Sequence, residues 1–511
     1  MDSRDHTVAI IGGGPAGIVT AKYLLERGFE PTIFEQSGDI GGQWNALAEH
    51  SGVWPEMRTN TSRVMTRFSD LGYDESVATY PHNREVHDYL HRYAERFGVS
   101  HLVRLQTHVE QVAEKSSGGF SVTTMTGATR ETCEFGRVVL ANGRYNTPSL
   151  PVIPGLESFP GAVIHSFRYK DPQIFRGKRV LVCGCSISSL EIAGDLAMLG
   201  AAKVTTAARK QRYIVPKLVA GVPTDQLAFT RWGAYAAEVF PPEVAAEGLK
   251  QFILTVAGSP EQYGALPPDP NILKAGITLS HHFLPLVAEG RIKVKPWIEH
   301  IRGSVVSFRD GTSEEFDAIL LGTGFTLGLA YLSHELRRKL AVDDYEADLF
   351  NFTFSPDVEG LAAVGQFSLI GPFFPTVELQ ARYLAYTWAG VLPRASEEEM
   401  RAGIARDKAM RTPDHNNLVH RMLVRFARLI GAEPIVRDYP DLERAFMFGP
   451  MAAISFRICG PDKLPFAKQE FLSECARFGC MTSQELTAEQ QQRMELLNRA
   501  LKMREGSGQP A

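Results

Sequence analysis

The chain has 511 residues, of which 44% are hydrophobic and 22% are charged, and its formal net charge is −4. This composition predicts a globular enzyme of roughly three domains, and the weak negative charge gives no reason to expect nucleic acid binding. No apolar run approaches the about 20 residues of a membrane helix, and no secretory leader is evident, so we expect a cytoplasmic protein without a membrane partner. The six cysteines show neither a disulfide framework nor paired C-x-x-C spacing, so no metal site is predicted.

The first predicted element is a buried strand at residues 8–11, which a glycine-rich turn and a helix over residues 16–27 follow. This order of strand, turn and helix is the context that a dinucleotide-binding fingerprint requires. The first glycine permits the tight turn, the second lets the backbone approach a pyrophosphate, and the third allows the helix to pack close to the sheet. The predicted cofactor-binding residues of this turn are Gly12, Gly14, Pro15, Ala16 and Gly17.

The next predicted strand, residues 31–34, delivers Glu35 at its end. A carboxylate in this place accepts hydrogen bonds from ribose hydroxyls but repels a 2′-phosphate. The first turn is therefore predicted to bind FAD or NAD rather than NADP.

A second strand, turn and helix unit lies further along the chain, with its strand at residues 180–182 and its helix at residues 190–199. Ala207 occupies the position that corresponds to the acid, and Arg209 follows it. A guanidinium there suits a 2′-phosphate, so this turn is predicted to bind NADPH. Its predicted cofactor-binding residues are Gly184, Ser186, Ser188, Ser189 and Arg209, because serine hydroxyls can donate to phosphate oxygens. Two such sites in one chain suggest a flavin that is reduced by a nicotinamide.

The order of the later elements predicts an α/β fold with two Rossmann-like dinucleotide-binding domains, one inserted in the other. The predicted FAD-binding domain comprises residues 1–150 and 317–390, and the inserted NADPH-binding domain comprises residues 151–316. A helical insertion is predicted at residues 213–290, with helices over 231–256 and 272–288, and a helical C-terminal extension at residues 391–511.

Residues 159–169, F-P-G-A-V-I-H-S-F-R-Y, lie between the two turns and resemble the F-x-G-x-x-x-H-x-x-x-Y/F identifying sequence of flavin-containing monooxygenases. The related Baeyer-Villiger monooxygenases usually have tryptophan where Tyr169 stands, so the resemblance favours the amine- and sulfur-oxidising branch. The resemblance covers nearly the whole chain through shorter segments at residues 41–44, 59–62, 263–264, 378–382 and 456–461.

This resemblance implies that NADPH reduces FAD, that the reduced flavin captures dioxygen as a C4a-hydroperoxide, and that a soft nucleophile then takes one oxygen atom. The implied partners are dioxygen and a small-molecule amine or sulfide, and the oligomeric state stays open, a homo-oligomer included. Asn60 matches the family's asparagine and is the implied catalytic residue, because its amide offers both a donor and an acceptor to the flavin and nicotinamide edges. The other residues that the resemblance places at the cofactors are Gln43, Trp44, Thr59, Thr61 and Gln380.

Two further expectations concern ionisable residues in the matched segments. Oxygen transfer to an amine or sulfide needs no base to create the nucleophile, so we expect His165 to have a hinge or packing role. Glu378 and Arg382 are expected on a helix whose N-terminus faces the flavin, and the alternative is a surface helix with a salt bridge between them.

Departures from the family pattern leave alternatives open. Serines replace two glycines of the second turn and Ile187 stands where a polar residue is common, so use of NADH remains open. The alternative functions are Baeyer-Villiger oxygenation of a ketone, disulfide reduction and a non-catalytic FAD-binding interaction protein. Tyr169 argues against the first, and the absence of a redox C-x-x-C argues against the second.

Overall fold

The structure is a computed structural model that describes residues 6–411, 416–478, 481 and 483–506. Residues 1–5 and, within the predicted C-terminal extension, residues 412–415, 479, 480, 482 and 507–511 lie outside the described residues. The chain divides into two compact units. The first unit comprises residues 1–147, 325–446 and 450–477, and the second unit comprises residues 148–324, 447–449 and 478–511.

The first unit is built on a parallel five-stranded sheet. The strands follow one another in the order Leu361–Ala363, Arg137–Leu140, Thr7–Ile11, Glu30–Phe34 and Val103–Arg104. In the central strand Val8, Ala9 and Ile10 are completely buried, as expected of an apolar strand inside a parallel sheet. Helix Pro15–Leu25 follows this strand after a three-residue turn and packs against helix Phe374–Trp388.

The remaining elements of the first unit surround this sheet. An antiparallel sheet consists of Thr107–Glu114, Phe120–Thr126 and Thr129–Phe135, and a short parallel pair consists of Ser368–Ile370 and Asn416–Leu418. The further helices are Asn83–Arg96, His334–Lys339, Glu397–Ala409, Val419–Leu429 and Ala467–Ala476, and helix Glu443–Phe448 begins in this unit.

The second unit repeats the parallel architecture. Its five strands follow one another in the order Ile292–Pro296, Lys203–Ala208, Arg179–Cys183, Ala318–Leu321 and Ala162–His165. Helix Ile187–Leu199 follows the central strand. Smaller sheets are formed by Ile298–Arg302, Val305–Phe308 and Ser313–Glu315, by Tyr213–Val215 with Ile277–Leu279, and by Leu218–Val219 with Val222–Pro223. The further helices are Thr224–Ala228, Arg231–Val239, Pro242–Ala257, Ile272–Ala275, Phe283–Ala288 and Ala488–Gly506.

The predicted fold class is confirmed, since both units have a Rossmann-like parallel sheet and the C-terminal region is helical. Within the helical insertion the two long helices are each interrupted. The first breaks before Pro242, which lacks an N–H and begins the next helix. The second ends at Ala275, because Gly276 adopts a φ of +76° and the chain turns into a strand. Of the described residues of the predicted extension, those within 391–446 and 450–477 belong to the first unit, and those within 447–449 and from 478 onward belong to the second unit.

Candidate active site

The first glycine-rich turn is too tight for a side chain at Gly12 and at Gly17. Gly12 has a φ of +111°, and a Cβ on Gly17 would lie 1.9 Å from the Gly12 carbonyl oxygen. A Cβ on Gly14 would lie 3.5 Å from the Cα of Gly42. Helix Pro15–Leu25 begins after Gly14 without a side-chain cap, so its first N–H groups are open to an anion. This bare backbone at a helix N-terminus fits a pyrophosphate.

The Glu35 carboxylate organises the same turn. It is 5% exposed, and its two oxygens accept hydrogen bonds from the N–H groups of Gly13 and Ser37, each at 2.8 Å. Each oxygen has a second lone pair, so the carboxylate can also accept from a ribose hydroxyl. The sequence predicted the ribose contact and missed this ordering of the turn.

The segment with Gln43 and Trp44 lies beside the turn. The Gly41 N–H donates to the Gly13 carbonyl oxygen at 2.9 Å. The Gln43 amide oxygen accepts from the Gly52 N–H at 2.7 Å, and the amide nitrogen donates to the Tyr145 carbonyl oxygen at 2.9 Å. The Gln43 side chain therefore ties separate backbone segments together. Trp44 is half-buried, and a contact of either residue with a cofactor stays a prediction.

Asn60 lies on a loop that neighbouring threonines hold in place. The Thr59 N–H donates to the Pro81 carbonyl oxygen at 2.9 Å, and the Thr59 hydroxyl donates to the Thr61 carbonyl oxygen at 2.8 Å. The Thr61 and Thr66 hydroxyls lie 2.7 Å apart. Asn60 itself is half-buried, and no protein group among the described residues hydrogen-bonds its side-chain amide. An ordered amide with unused donors and an unused acceptor is suited to hold a ligand.

Gln380, in contrast, is buried and satisfied within the protein. Its amide oxygen accepts from the Gly365 N–H at 2.9 Å, and its amide nitrogen donates to the carbonyl oxygens of Phe352 at 2.9 Å and Ala363 at 3.0 Å. The side chain is completely buried among these partners, and its contact with a cofactor stays a prediction. The structure thus places Gln380 as a residue that positions the backbone at Gly365.

The structure also reveals a buried ion cluster in the first unit, which consists of Tyr23, Ser69, Glu378, Arg382, Arg457 and Asp462. The Glu378 carboxylate accepts from the Tyr23 hydroxyl at 2.7 Å and from the Ser69 N–H at 2.8 Å. The Arg457 guanidinium donates to the Tyr23 hydroxyl at 2.7 Å. Burial raises the pKa of Glu378 above its ordinary value. The cluster joins the first helix of the unit to its C-terminal segment.

This cluster corrects one expectation. Glu378 and Arg382 are 1% and 0% exposed, and Arg382 pairs with Asp462, so the alternative of a surface helix with a salt bridge is wrong. The signal in the sequence was two opposite charges four residues apart in an otherwise apolar helix, which indicates buried partners from elsewhere in the chain.

The second glycine-containing turn is equally tight. Gly184 has a φ of +124°, and a Cβ there would lie 2.3 Å from the Gly322 carbonyl oxygen. The Ser189 side chain is completely buried, and its hydroxyl donates to that same carbonyl oxygen at 3.1 Å. Ser189 therefore links helix Ile187–Leu199 to the backbone at the end of the neighbouring strand. Ser186 and Ser188 are half-buried, and helix Ile187–Leu199 begins after Ser186 without a side-chain cap. Their hydroxyls are therefore accessible, and their contact with a phosphate stays a prediction.

Arg209 and the family-like segment complete the predicted residues of the second unit. Arg209 is exposed beyond strand Lys203–Ala208, and its guanidinium carbon lies 5.0 Å from the centre of the Trp297 ring. Tyr169 is completely buried and stacks on Phe175. His165 Nδ1 accepts from the Phe167 N–H at 3.2 Å, and burial lowers the pKa of His165. A buried imidazole that accepts a hydrogen bond from the neighbouring backbone supports a packing role.

The comparisons with known proteins agree on one family. The family model described as Flavin-binding monooxygenase-like matches residues 5–503. The chain belongs to this family. An N-oxide-forming dimethylaniline monooxygenase 2 of Rattus norvegicus is 30% identical over 497 residues, and flavin-containing monooxygenase 2 of Homo sapiens is 29% identical over 497 residues. Each alignment covers 92% of both chains.

Solved structures show the same fold. S-allyl-L-cysteine S-oxygenase from Allium sativum matches with a TM-score of 0.62 and 22% identity, over 96% of this chain and 98% of the other. NADP+-bound cyclohexanone monooxygenase from Rhodococcus sp. Phi1 matches with a TM-score of 0.60 and 18% identity, over 78% of this chain and 88% of the other.

As a member of this family the protein is a flavin-dependent monooxygenase that uses FAD and NADPH and acts with dioxygen on a small molecule. The two bare helix N-termini, one in each unit, fit the pyrophosphate groups of these cofactors. Within the part of the chain that the structure describes, each helix is too short or too polar to cross a membrane.

Proposed function

We propose that this monooxygenase transfers one oxygen atom from dioxygen to the nitrogen of an amine or the sulfur of a sulfide, with the first unit holding FAD and the second unit holding NADPH. Bound FAD supplies the electron transfer and the activation of oxygen, and the chain supplies binding, orientation and exclusion of water. The turn at Gly12–Gly17 and Glu35 would hold FAD, and Ser186, Ser188 and Arg209 would hold the phosphates of NADPH.

The Asn60 amide is the observation that carries this proposal. It is half-buried, it lies on a loop that Thr59 and Thr61 hold by hydrogen bonds, and the described part of the chain offers its amide no partner. A donor and an acceptor on one ordered side chain can orient two neighbouring polar edges at once. We infer that Asn60 orients the flavin relative to the nicotinamide.

The choice of amine or sulfide as the substrate has separate support. Relatives of about 30% identity include N-oxide-forming enzymes, and a solved structure of the same fold is an S-oxygenase. Neutral amines and sulfides carry their own lone pair, so no base has to create the nucleophile. The burial of His165 and its bond to the Phe167 N–H are consistent with a reaction that uses no histidine base.

The test offers the purified FAD-loaded protein NADPH, ¹⁸O₂ and, in separate reactions, N,N-dimethylaniline, methyl phenyl sulfide and cyclohexanone. We expect a singly ¹⁸O-labelled N-oxide or sulfoxide by mass spectrometry, with NADPH oxidised in proportion to product. A labelled lactone from the ketone without N-oxide or sulfoxide would establish the Baeyer-Villiger alternative instead.

Asn60→Asp and Asn60→Ala are the matched variants for this test. Asp keeps the size of the side chain but loses both amide donors, and Ala removes the whole group. We expect both variants to keep FAD and to release more hydrogen peroxide per NADPH than the wild type. If both variants form product as efficiently as the wild type, Asn60 has no part in the reaction.

A further inference from the structure

Three side chains of the first unit, none of them among the residues assigned to the cofactors above, form a compact cluster. His87 and His91 lie four residues apart on helix Asn83–Arg96, and Asp39 lies on the loop after strand Glu30–Phe34. We call these three residues the His-Asp cluster. One potential ligand atom of each residue lies within 4.8 Å of the other two. Cysteine spacing alone predicted no metal site, whereas this cluster uses histidines one helical turn apart.

The distances within the cluster suit a metal ion. Asp39 Oδ2 lies 3.4 Å from His87 Nε2 and 3.0 Å from His91 Nε2. Zinc bonds to imidazole nitrogen and carboxylate oxygen of about 2.0–2.1 Å place tetrahedral ligands about 3.3 Å apart. Both carboxylate-to-imidazole distances are therefore close to the spacing of two ligands on one zinc ion.

We propose that the His-Asp cluster binds one divalent transition-metal ion of the zinc class. Two imidazoles and one carboxylate are a ligand set that such ions prefer over magnesium or calcium, and water completes the coordination. Asp39 and His91 are 42% and 44% exposed, so an ion can enter from solvent. His87 is 21% exposed, and its Nε2 lies 2.9 Å from the Ile40 carbonyl oxygen, a hydrogen bond that metal binding exchanges for a metal bond.

The cluster is coupled to the first glycine-rich turn through the loop that carries Asp39. The Gly41 N–H donates to the Gly13 carbonyl oxygen at 2.9 Å. A Cβ on Gly41 would lie 2.6 Å from His87 Cδ2, so loop and helix are already in close contact. An ion at the His-Asp cluster holds this loop against the helix, and we expect it to slow the loss of FAD from the protein.

The test measures zinc bound to the FAD-loaded full chain by equilibrium dialysis against ZnCl₂ and elemental mass spectrometry. His91→Ala removes one ligand, and Asp39→Asn replaces the anionic carboxylate by a neutral amide oxygen, which is a weaker ligand for these ions. His101→Ala is the matched control, because His101 is an exposed histidine outside the cluster. FAD absorbance and the thermal unfolding midpoint without zinc establish that each variant is folded.

We expect the wild type and His101→Ala to bind one zinc equivalent that both cluster variants lose or bind at least about 10-fold more weakly. Zinc should also slow FAD release from the wild type but not from His91→Ala. The proposal is overturned if the wild type binds no zinc at micromolar concentrations, or if both cluster variants keep the affinity and stoichiometry of the wild type. In the second case, residues outside the His-Asp cluster account for the bound zinc.

Discussion

Replacement of Glu35 by alanine should impair FAD binding even before any ribose contact is considered. The Glu35 carboxylate is 5% exposed and accepts hydrogen bonds from the N–H groups of Gly13 and Ser37, both at 2.8 Å. Without it the Gly13 N–H lacks a partner, and the turn before helix Pro15–Leu25 can adopt conformations that no longer fit a pyrophosphate.

The magnitude follows from these two bonds. A hydrogen bond to a charged group contributes about 1.5–3 kcal/mol, and at least one such bond holds the turn in its binding conformation. Each 1.36 kcal/mol changes the ratio of the binding conformation of the turn to its other conformations tenfold. The apparent dissociation constant for FAD rises as the fraction of protein in the binding conformation falls. We therefore expect Glu35→Ala to raise the FAD dissociation constant by about 10- to 150-fold.

The assay is titration of FAD-stripped protein with FAD, in which the quenching of flavin fluorescence measures binding. Glu30→Ala is the matched control, since Glu30 is an exposed glutamate at the other end of the same strand. Glu35→Gln keeps the size of the side chain, but its NH2 group replaces one of the two oxygens and cannot accept a hydrogen bond from a backbone N–H. This variant should therefore also bind FAD more weakly. If Glu35→Ala binds FAD as tightly as Glu30→Ala, the ordering role assigned to this carboxylate is refuted.

Three further predictions concern other parts of the chain. Asn60→Ala should keep FAD but release more hydrogen peroxide per NADPH consumed, which a peroxide assay beside product analysis measures. Arg209→Ala should raise the KM for NADPH by about 10- to 150-fold relative to that for NADH, because a charged hydrogen bond to the 2′-phosphate is lost. Burial raises the pKa of Glu474 from 4.5 to about 7, despite its contact with Arg67 at 2.6 Å. The free energy of unfolding should therefore fall by about 3 kcal/mol as pH rises from about 4.5 to about 7, and Glu474→Gln should flatten that decline in thermal unfolding.

Each of these predictions has its own control. For Asn60 it is the FAD content of the variant, since loss of the flavin itself would explain peroxide release without any role in coupling. Arg302→Ala removes an exposed arginine of the second unit, and equal effects of both arginine variants would place the 2′-phosphate elsewhere. Glu470→Gln removes the other carboxylate at Arg67, and a decline with pH that persists unchanged in Glu474→Gln would contradict the burial argument.

Local sequence patterns predicted the parts of this fold that depend on neighbours along the chain. The strand, turn and helix around Gly12 follow from a buried apolar run and from Gly12 and Gly17, where a Cβ would collide with the backbone. The same holds for the turn at Gly184. Apolar periodicity predicted two continuous helices in the helical insertion, but a proline and a glycine interrupt them. Proline lacks the N–H of a helical hydrogen bond and Gly276 adopts a positive φ, and neither effect depends on the apolar pattern.

The sequence by itself therefore determined the two dinucleotide-binding turns, the acid at Glu35 and the resemblance to flavin-containing monooxygenases. Only the tertiary structure decided what the polar side chains do. The Ser189 hydroxyl, predicted at a cofactor phosphate, donates to the Gly322 carbonyl oxygen. Glu378 is part of a buried ion cluster, and the Asn60 amide has no hydrogen-bond partner among the described residues. These outcomes depend on groups far away in the chain, and a hydrogen bond or ion pair forms only where the fold brings donor and acceptor within about 3 Å.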